Sequence, residues 1–125
     1  FFFPRSASDG KVREFGDIAI AQAEATGFKA NIGTQSPGWK ERTDSVLMQA
    51  MNDIFQKQNG FPMQIETIHA GLECGWHFQK NPDLDIVSIG VTTIDIHSPN
   101  EKLLLESIAP QVNLITATLE NIADF

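Results

Sequence analysis

Two short apolar runs separated by one helix-length segment constrain this chain most. Met63 to Ile68 and Ile86 to Val91 each read as a strand, and Leu72 to Gln79 between them reads as a short helix followed by an Asn81-Pro82-Asp83 turn. Two strands joined through a helix make a compact crossover unit, whose usual outcome is a parallel pair. The expected fold class is therefore α/β.

Each run leads into a loop rich in chemically capable residues. After the first come His69-Ala70-Gly71-Leu72-Glu73-Cys74-Gly75; after the second come His97-Ser98-Pro99-Asn100-Glu101. Ligands and metals collect at strand ends in α/β layers, so the two loops are expected to face one site.

The remaining elements follow from periodicity and punctuation. Phe1 to Phe3 read as a strand ending at Pro4-Arg5-Ser6. Ser8 or Asp9 caps a first helix with Val12, Phe15, Ala19 and Ala23 at helical spacing, closed by Gly27. Phe28 to Ile32 alternate as a strand, with Phe28, Ala30 and Ile32 on one face. Gly33 to Arg42 is polar and turn-rich around Ser36-Pro37-Gly38-Trp39, and a domain boundary is placed there. A second helix starts near Asp44, its expected cap, buries Leu47, Ala50, Met51 and Ile54, and stops at Asn59-Gly60. Lys102 to Leu105 are briefly extended. Ser107 caps the last helix, where Ile108, Val112, Ile115, Leu119 and Ile122 form the stripe expected to be buried.

Charge narrows the function classes. Nine basic against sixteen acidic residues give a net charge of −7, so no basic stripe is available to follow a phosphate backbone or an anionic membrane surface. Nucleic acid and membrane are not expected partners. No apolar run approaches the roughly 20 residues that span a bilayer. Cys74 is the only cysteine among 125 residues, which excludes an internal disulfide framework and favours a reducing, cytoplasmic compartment. The chain opens inside an apolar run without an initiator methionine, which reads as a piece of something longer.

The candidate site residues each carry a bland reading beside the functional one. His97 offers an imidazole to zinc on a loop stiffened by Pro99; alternatively it is a solvated loop histidine. Zinc takes three or four protein ligands, so His97 alone is not a site. Glu73, Asp95 and Glu101 are carboxylates able to orient such a ring. Gly71 permits close backbone approach at the start of a helix, with His69 beside it, or is a plain strand-to-helix turn. Glu73 in the first helical turn complements the helix dipole. Arg5, at a strand end, is either a carboxylate clamp or a solvated guanidinium. Trp39, Trp76 and Cys74 read as packing residues.

With those motifs in view, the chain resembles the C-terminal part of an aminoacyl-histidine dipeptidase, the Xaa-His branch of the two-zinc exopeptidases. The resemblance runs through Arg5-Ser6, Pro37-Gly38-Trp39, the His69 to Gly75 run, Pro82-Asp83-Leu84-Asp85, Ser88-Ile89-Gly90 and His97-Ser98-Pro99. Asn100 stands where the family commonly has Asp, and Val91 where it has Pro.

The resemblance implies an α+β lid remnant (strand-helix-strand, residues 1–36) ending a lid and dimerisation domain. Residues 37–125 would then be the closing βαβ-helix segment of a catalytic domain. It implies His97 as the last zinc ligand, and Arg5 as the holder of the substrate's C-terminal carboxylate. Gly71, with His69, becomes the substrate-contacting turn. Two Zn2+ ions per complete enzyme, or similar divalent ions, a dipeptide substrate and a homodimer are implied with it. The general base and the other ligands belong to a region outside this chain, so these residues alone are expected to be inactive. The rival from another class is a small non-catalytic α/β module that binds a partner or acidic ligand through Arg5 and the Gly71 turn.

Overall fold

A computed structural model describes residues 2–68 and 70–124. The chain has α/β character: the described residues form four α-helices and a two-stranded antiparallel sheet, in the order α1 (Asp9–Ala25), α2 (Val46–Asn59), α3 (Glu73–Lys80), β1 (Thr93–Ile94), β2 (Lys102–Leu103) and α4 (Ile108–Glu120). It divides into two compact units. One comprises Phe1–Thr43 and Glu66–Leu84, the other Asp44–Ile65 and Asp85–Phe125.

In the first unit, α1 begins after Ser8 and closes at Thr26, whose N–H reaches the carbonyls of the last turn. Gly27 follows with φ 85°, a left-handed conformation that glycine adopts without strain. Val12 and Gly16 are the buried positions of this helix, with Ala19 and Ala23 half-buried. Phe15, expected on the same face, is exposed. The Pro37-Gly38 turn is tied down by Asp9, whose Oδ1 accepts a 2.6 Å hydrogen bond from the Gly38 N–H. Backbone passes so close here that a Cβ at position 38 would stand 2.7 Å from the Ala7 carbonyl carbon and the Ser6 oxygen. Gly75 of α3 is buried and faces the Pro37 carbonyl in the same way. After α3, Asn81 makes the expected turn: its Oδ1 accepts from Asp83 N–H and its carbonyl from Leu84 N–H.

In the second unit α2 packs against α4. The cap of α2 is Ser45, one residue beyond the expected Asp44; its buried hydroxyl accepts from Met48 N–H at 2.9 Å. Asp85 covers the neighbouring amide, its Oδ2 accepting from Leu47 N–H at 2.9 Å, where a carboxylate also meets the positive end of the helix. Met51 is buried, with Leu47, Ala50 and Ile54 half-buried beside it, the stripe expected from the sequence. Gly60 ends the helix at φ 82°, and Phe61 returns edge-on to Phe55 at 5.6 Å between ring centroids. Asn52 then anchors the following segment by accepting from Met63 N–H at 2.8 Å.

Helix α4 reverses the expected orientation. Leu114 and Thr118 are its buried residues, whereas Ile108, Val112, Ile115, Leu119 and Ile122 are all exposed. The helix is apolar around most of its circumference, a pattern proper to a fully buried helix. The contact with α2 takes the Leu114 side, and the longer stripe is left uncovered. Ser107 does sit at the N-cap, but its hydroxyl donates to the Leu104 carbonyl and accepts from Thr92 N–H instead of capping.

The predicted strands differ most. Residues 2–3, 28–32, 63–68 and 86–91 form no ladder among the described residues, so the expected parallel crossover pair is not formed. The paired strands are β1 and β2, with Thr93 opposite Leu103 and Ile94 opposite Lys102; the brief extension expected near Lys102 is the second of them. A strand requires a hydrogen-bonding neighbour and a layer to cover its apolar face. Those runs pair with no strand among the described residues: Phe28, Ile32, Ile65 and Ile68 are exposed, Ile86, Val87, Ile89 and Val91 are half-buried, and the buried hydrophobic side chains among the described residues are Val12, Met51 and Leu114.

Candidate functional site

The candidate residues fall into two groups, one in each unit. In the first, the Arg5 guanidinium lies over the edge of the turn at Gly71. A Cβ at position 71 would stand 3.0 Å from both Cζ and Nη2 of Arg5 and 3.2 Å from Oγ of Ser36. Arg5 is half-buried and also lies over the Phe3 ring, 5.9 Å from its centroid. A cation held on an aromatic face keeps its fork oriented while its N–H edge remains available.

Two residues chosen from sequence, Arg5 and Gly71, are thus brought together although far apart in the chain. Ser36 joins them without having been singled out. Its signal was its place directly before Pro37-Gly38, a turn that Asp9 fixes. The third candidate of this group, His69, lies outside the described residues. Guanidinium, hydroxyl and a bare backbone position together make a surface suited to a carboxylate or another small oxyanion.

The second group is the loop between β1 and β2. His97 is exposed at its centre with φ 63°, and Asp95 precedes it at φ 54°. Glu101 reaches back from the loop's far end, its Oε2 accepting a 2.9 Å hydrogen bond from the His97 backbone N–H. Its carboxylate therefore engages the backbone of His97 and not the ring, the partner considered from sequence. Neither ring nitrogen of His97 has a hydrogen-bond partner among the described residues, so either could be the one that offers its lone pair to a metal.

Glu73 lies in the first turn of α3, as helix-dipole complementarity expects. Cys74 is a half-buried free thiol. Among the described residues, no group of three His, Cys, Asp or Glu side chains converges as a metal site. The donor chemistry of His97 fits zinc as one ligand, and the ligand count is not completed by described residues of this chain.

The chain is similar to part of a dipeptidase. Over 110 residues it is 33% identical to the cytosol non-specific dipeptidase of Escherichia coli (strain K12), a stretch covering 85% of this chain and 23% of that protein. No family model matches. The chain is thus similar to part of a dipeptidase and spans about a quarter of that relative's length. None of the described helices is long and apolar enough to cross a membrane.

Proposed function

We propose that this chain is the closing segment of a cytoplasmic zinc metallopeptidase that hydrolyses dipeptides, Xaa-His dipeptides among them. The observation that carries the reading is the 33% identity to a dipeptidase over most of the chain. The approach of Arg5 to Gly71 supports it, because a dipeptide presents a free carboxylate for a guanidinium to hold. Residues 1–36 are assigned to the end of a lid and dimerisation domain, and residues 37–125 to the catalytic segment.

Each residue has a role in this scheme. Arg5 pairs with the C-terminal carboxylate of the substrate and so fixes how deep the dipeptide sits. Gly71 contacts the substrate along its bare backbone, and its missing Cβ leaves the Arg5 fork its place, with His69 placed beside it by the sequence alone. His97 supplies one imidazole bond to a divalent ion. Zinc, when bound, polarises a carbonyl and acidifies water. The chain brings one metal ligand and no assigned general base, so the 125 residues by themselves are expected neither to retain two zinc ions nor to turn over substrate.

The test is substrate discrimination by the full-length product of the gene and its Arg5→Ala variant. An Xaa-His dipeptide and its C-terminal amide are compared. Loss of a charge-assisted pair is expected to raise KM for the free acid by roughly 10- to 100-fold and to leave the amide unchanged. Equal losses on both substrates would contradict the clamp.

A further inference from the structure

The loop that presents His97 is a built structure. Two of its residues, Asp95 and His97, are non-glycine residues at positive φ, a region most side chains avoid. Such backbone persists only where its surroundings over-determine it. Here the Ser98 N–H donates to the Asp95 carbonyl at 3.2 Å and the Glu101 N–H to the Ser98 carbonyl at 3.1 Å. The Asn100 N–H donates to Ser98 Oγ at 3.0 Å. Pro99 fixes one further φ. Below the loop, the pairing of Thr93 with Leu103 and Ile94 with Lys102 holds its two ends together.

One contact in this loop acts directly on His97: the Glu101 carboxylate on its amide. An ionised acceptor makes this stronger than a neutral hydrogen bond. By holding the peptide plane before His97, it constrains the direction of the Cα–Cβ bond and so the arc within which the imidazole can reach. The carboxylate leaves the ring nitrogens alone, so it aims the ring without competing for its lone pair.

We infer that Glu101 is the positioning residue of His97, holding the left-handed backbone from which the imidazole is presented to a divalent ion. This rests on the reading of His97 as a metal ligand. Glu101 needs its length and an acceptor oxygen for the task. Glutamine retains both, aspartate is one methylene short, and alanine has neither.

The experiment measures two properties of the full-length gene product and of its Glu101→Ala, Glu101→Asp, Glu101→Gln and His97→Ala variants. The first is zinc affinity, by competition with a chromophoric chelator. The second is hydrogen exchange at the residue-97 amide in the metal-free protein. Glu101→Ala and Glu101→Asp are expected to weaken zinc binding by about 10- to 100-fold, as loss of an orienting partner does, and to abolish protection of that amide. Glu101→Gln should stay within about threefold of the wild type, because its amide oxygen still accepts.

If Glu101→Ala keeps wild-type zinc affinity while His97→Ala loses it, the positioning role is overturned and the ligand assignment stands. An amide at position 97 that stays protected in Glu101→Ala overturns the role as well. If His97→Ala itself keeps wild-type affinity, the ligand assignment fails, and the proposal with it. Should Glu101→Ala fail to fold, Glu101→Asp makes the same comparison with the charge retained.

Discussion

Arg5 and Gly71 occupy each other's space: the guanidinium fills the volume that any side chain at position 71 would take, at 3.0 Å from where its Cβ would lie. The glycine carries no positive φ, so its requirement is for room and not for backbone conformation. What a Cβ there would meet is the far end of a long, flexible side chain, together with the Ser36 hydroxyl.

Gly71→Ala is therefore expected to displace the Arg5 fork while leaving stability within about 1 kcal/mol of the wild type. Equilibrium unfolding in urea measures the second part. Dipeptide KM in the full-length gene product measures the first, and it should rise. A large loss of stability with unchanged KM would mean that the glycine serves packing alone.

Gly38 provides the contrast within the same unit. A Cβ there would meet main chain at Ser6 and Ala7, which cannot rotate away, and the shift would strain the Asp9 bond to the Gly38 N–H. Gly38→Ala should destabilise by about 1–3 kcal/mol, the range for forced overpacking. A urea midpoint equal to that of Gly71→Ala would show that the turn relaxes more easily than the geometry implies.

The start of α2 carries two side-chain acceptors on adjacent amides, Ser45 on Met48 and Asp85 on Leu47. Ser45→Ala removes an N-cap bond and is expected to lower stability by about 1 kcal/mol. Thermal unfolding followed by circular dichroism is the check. A Tm indistinguishable from the wild type would show that Asp85 suffices to hold this end.

The two faces of α4 separate by substitution. Leu114 is buried and Leu119 is 60% exposed. On the 125-residue chain, Leu114→Ala should cost about 2–5 kcal/mol and Leu119→Ala less than about 1 kcal/mol. Comparable losses would mean that the outer stripe is covered in solution, for instance by a second copy of the chain.

How far the fold was legible in the sequence depended on whether its signals were local. Helix periodicity, the Gly27 and Gly60 stops and the Asn81 turn depend on neighbouring residues, and they stand where the sequence places them. The strands did not follow, because runs such as Phe28 to Ile32 and Ile86 to Val91 become strands only beside a partner. The stripe on α4 was read from the larger side chains, yet the α2 contact uses Leu114 and Thr118. In the candidate site, the nearness of Arg5 to Gly71 is tertiary and no spacing rule announces it. Glu101 was visible as a carboxylate four residues after His97, but its choice of the backbone N–H over the ring depends on the left-handed turn at His97.

Metal content is the decisive measurement for His97. Zinc per chain is measured by elemental analysis on the full-length gene product and on its His97→Ala variant, with turnover of an Xaa-His dipeptide followed in parallel. The wild type is expected to carry zinc and hydrolyse the dipeptide, and His97→Ala to lose metal and nearly all turnover while its circular dichroism is unchanged. A folded His97→Ala protein with undiminished zinc and undiminished hydrolysis would contradict the zinc-ligand role of His97.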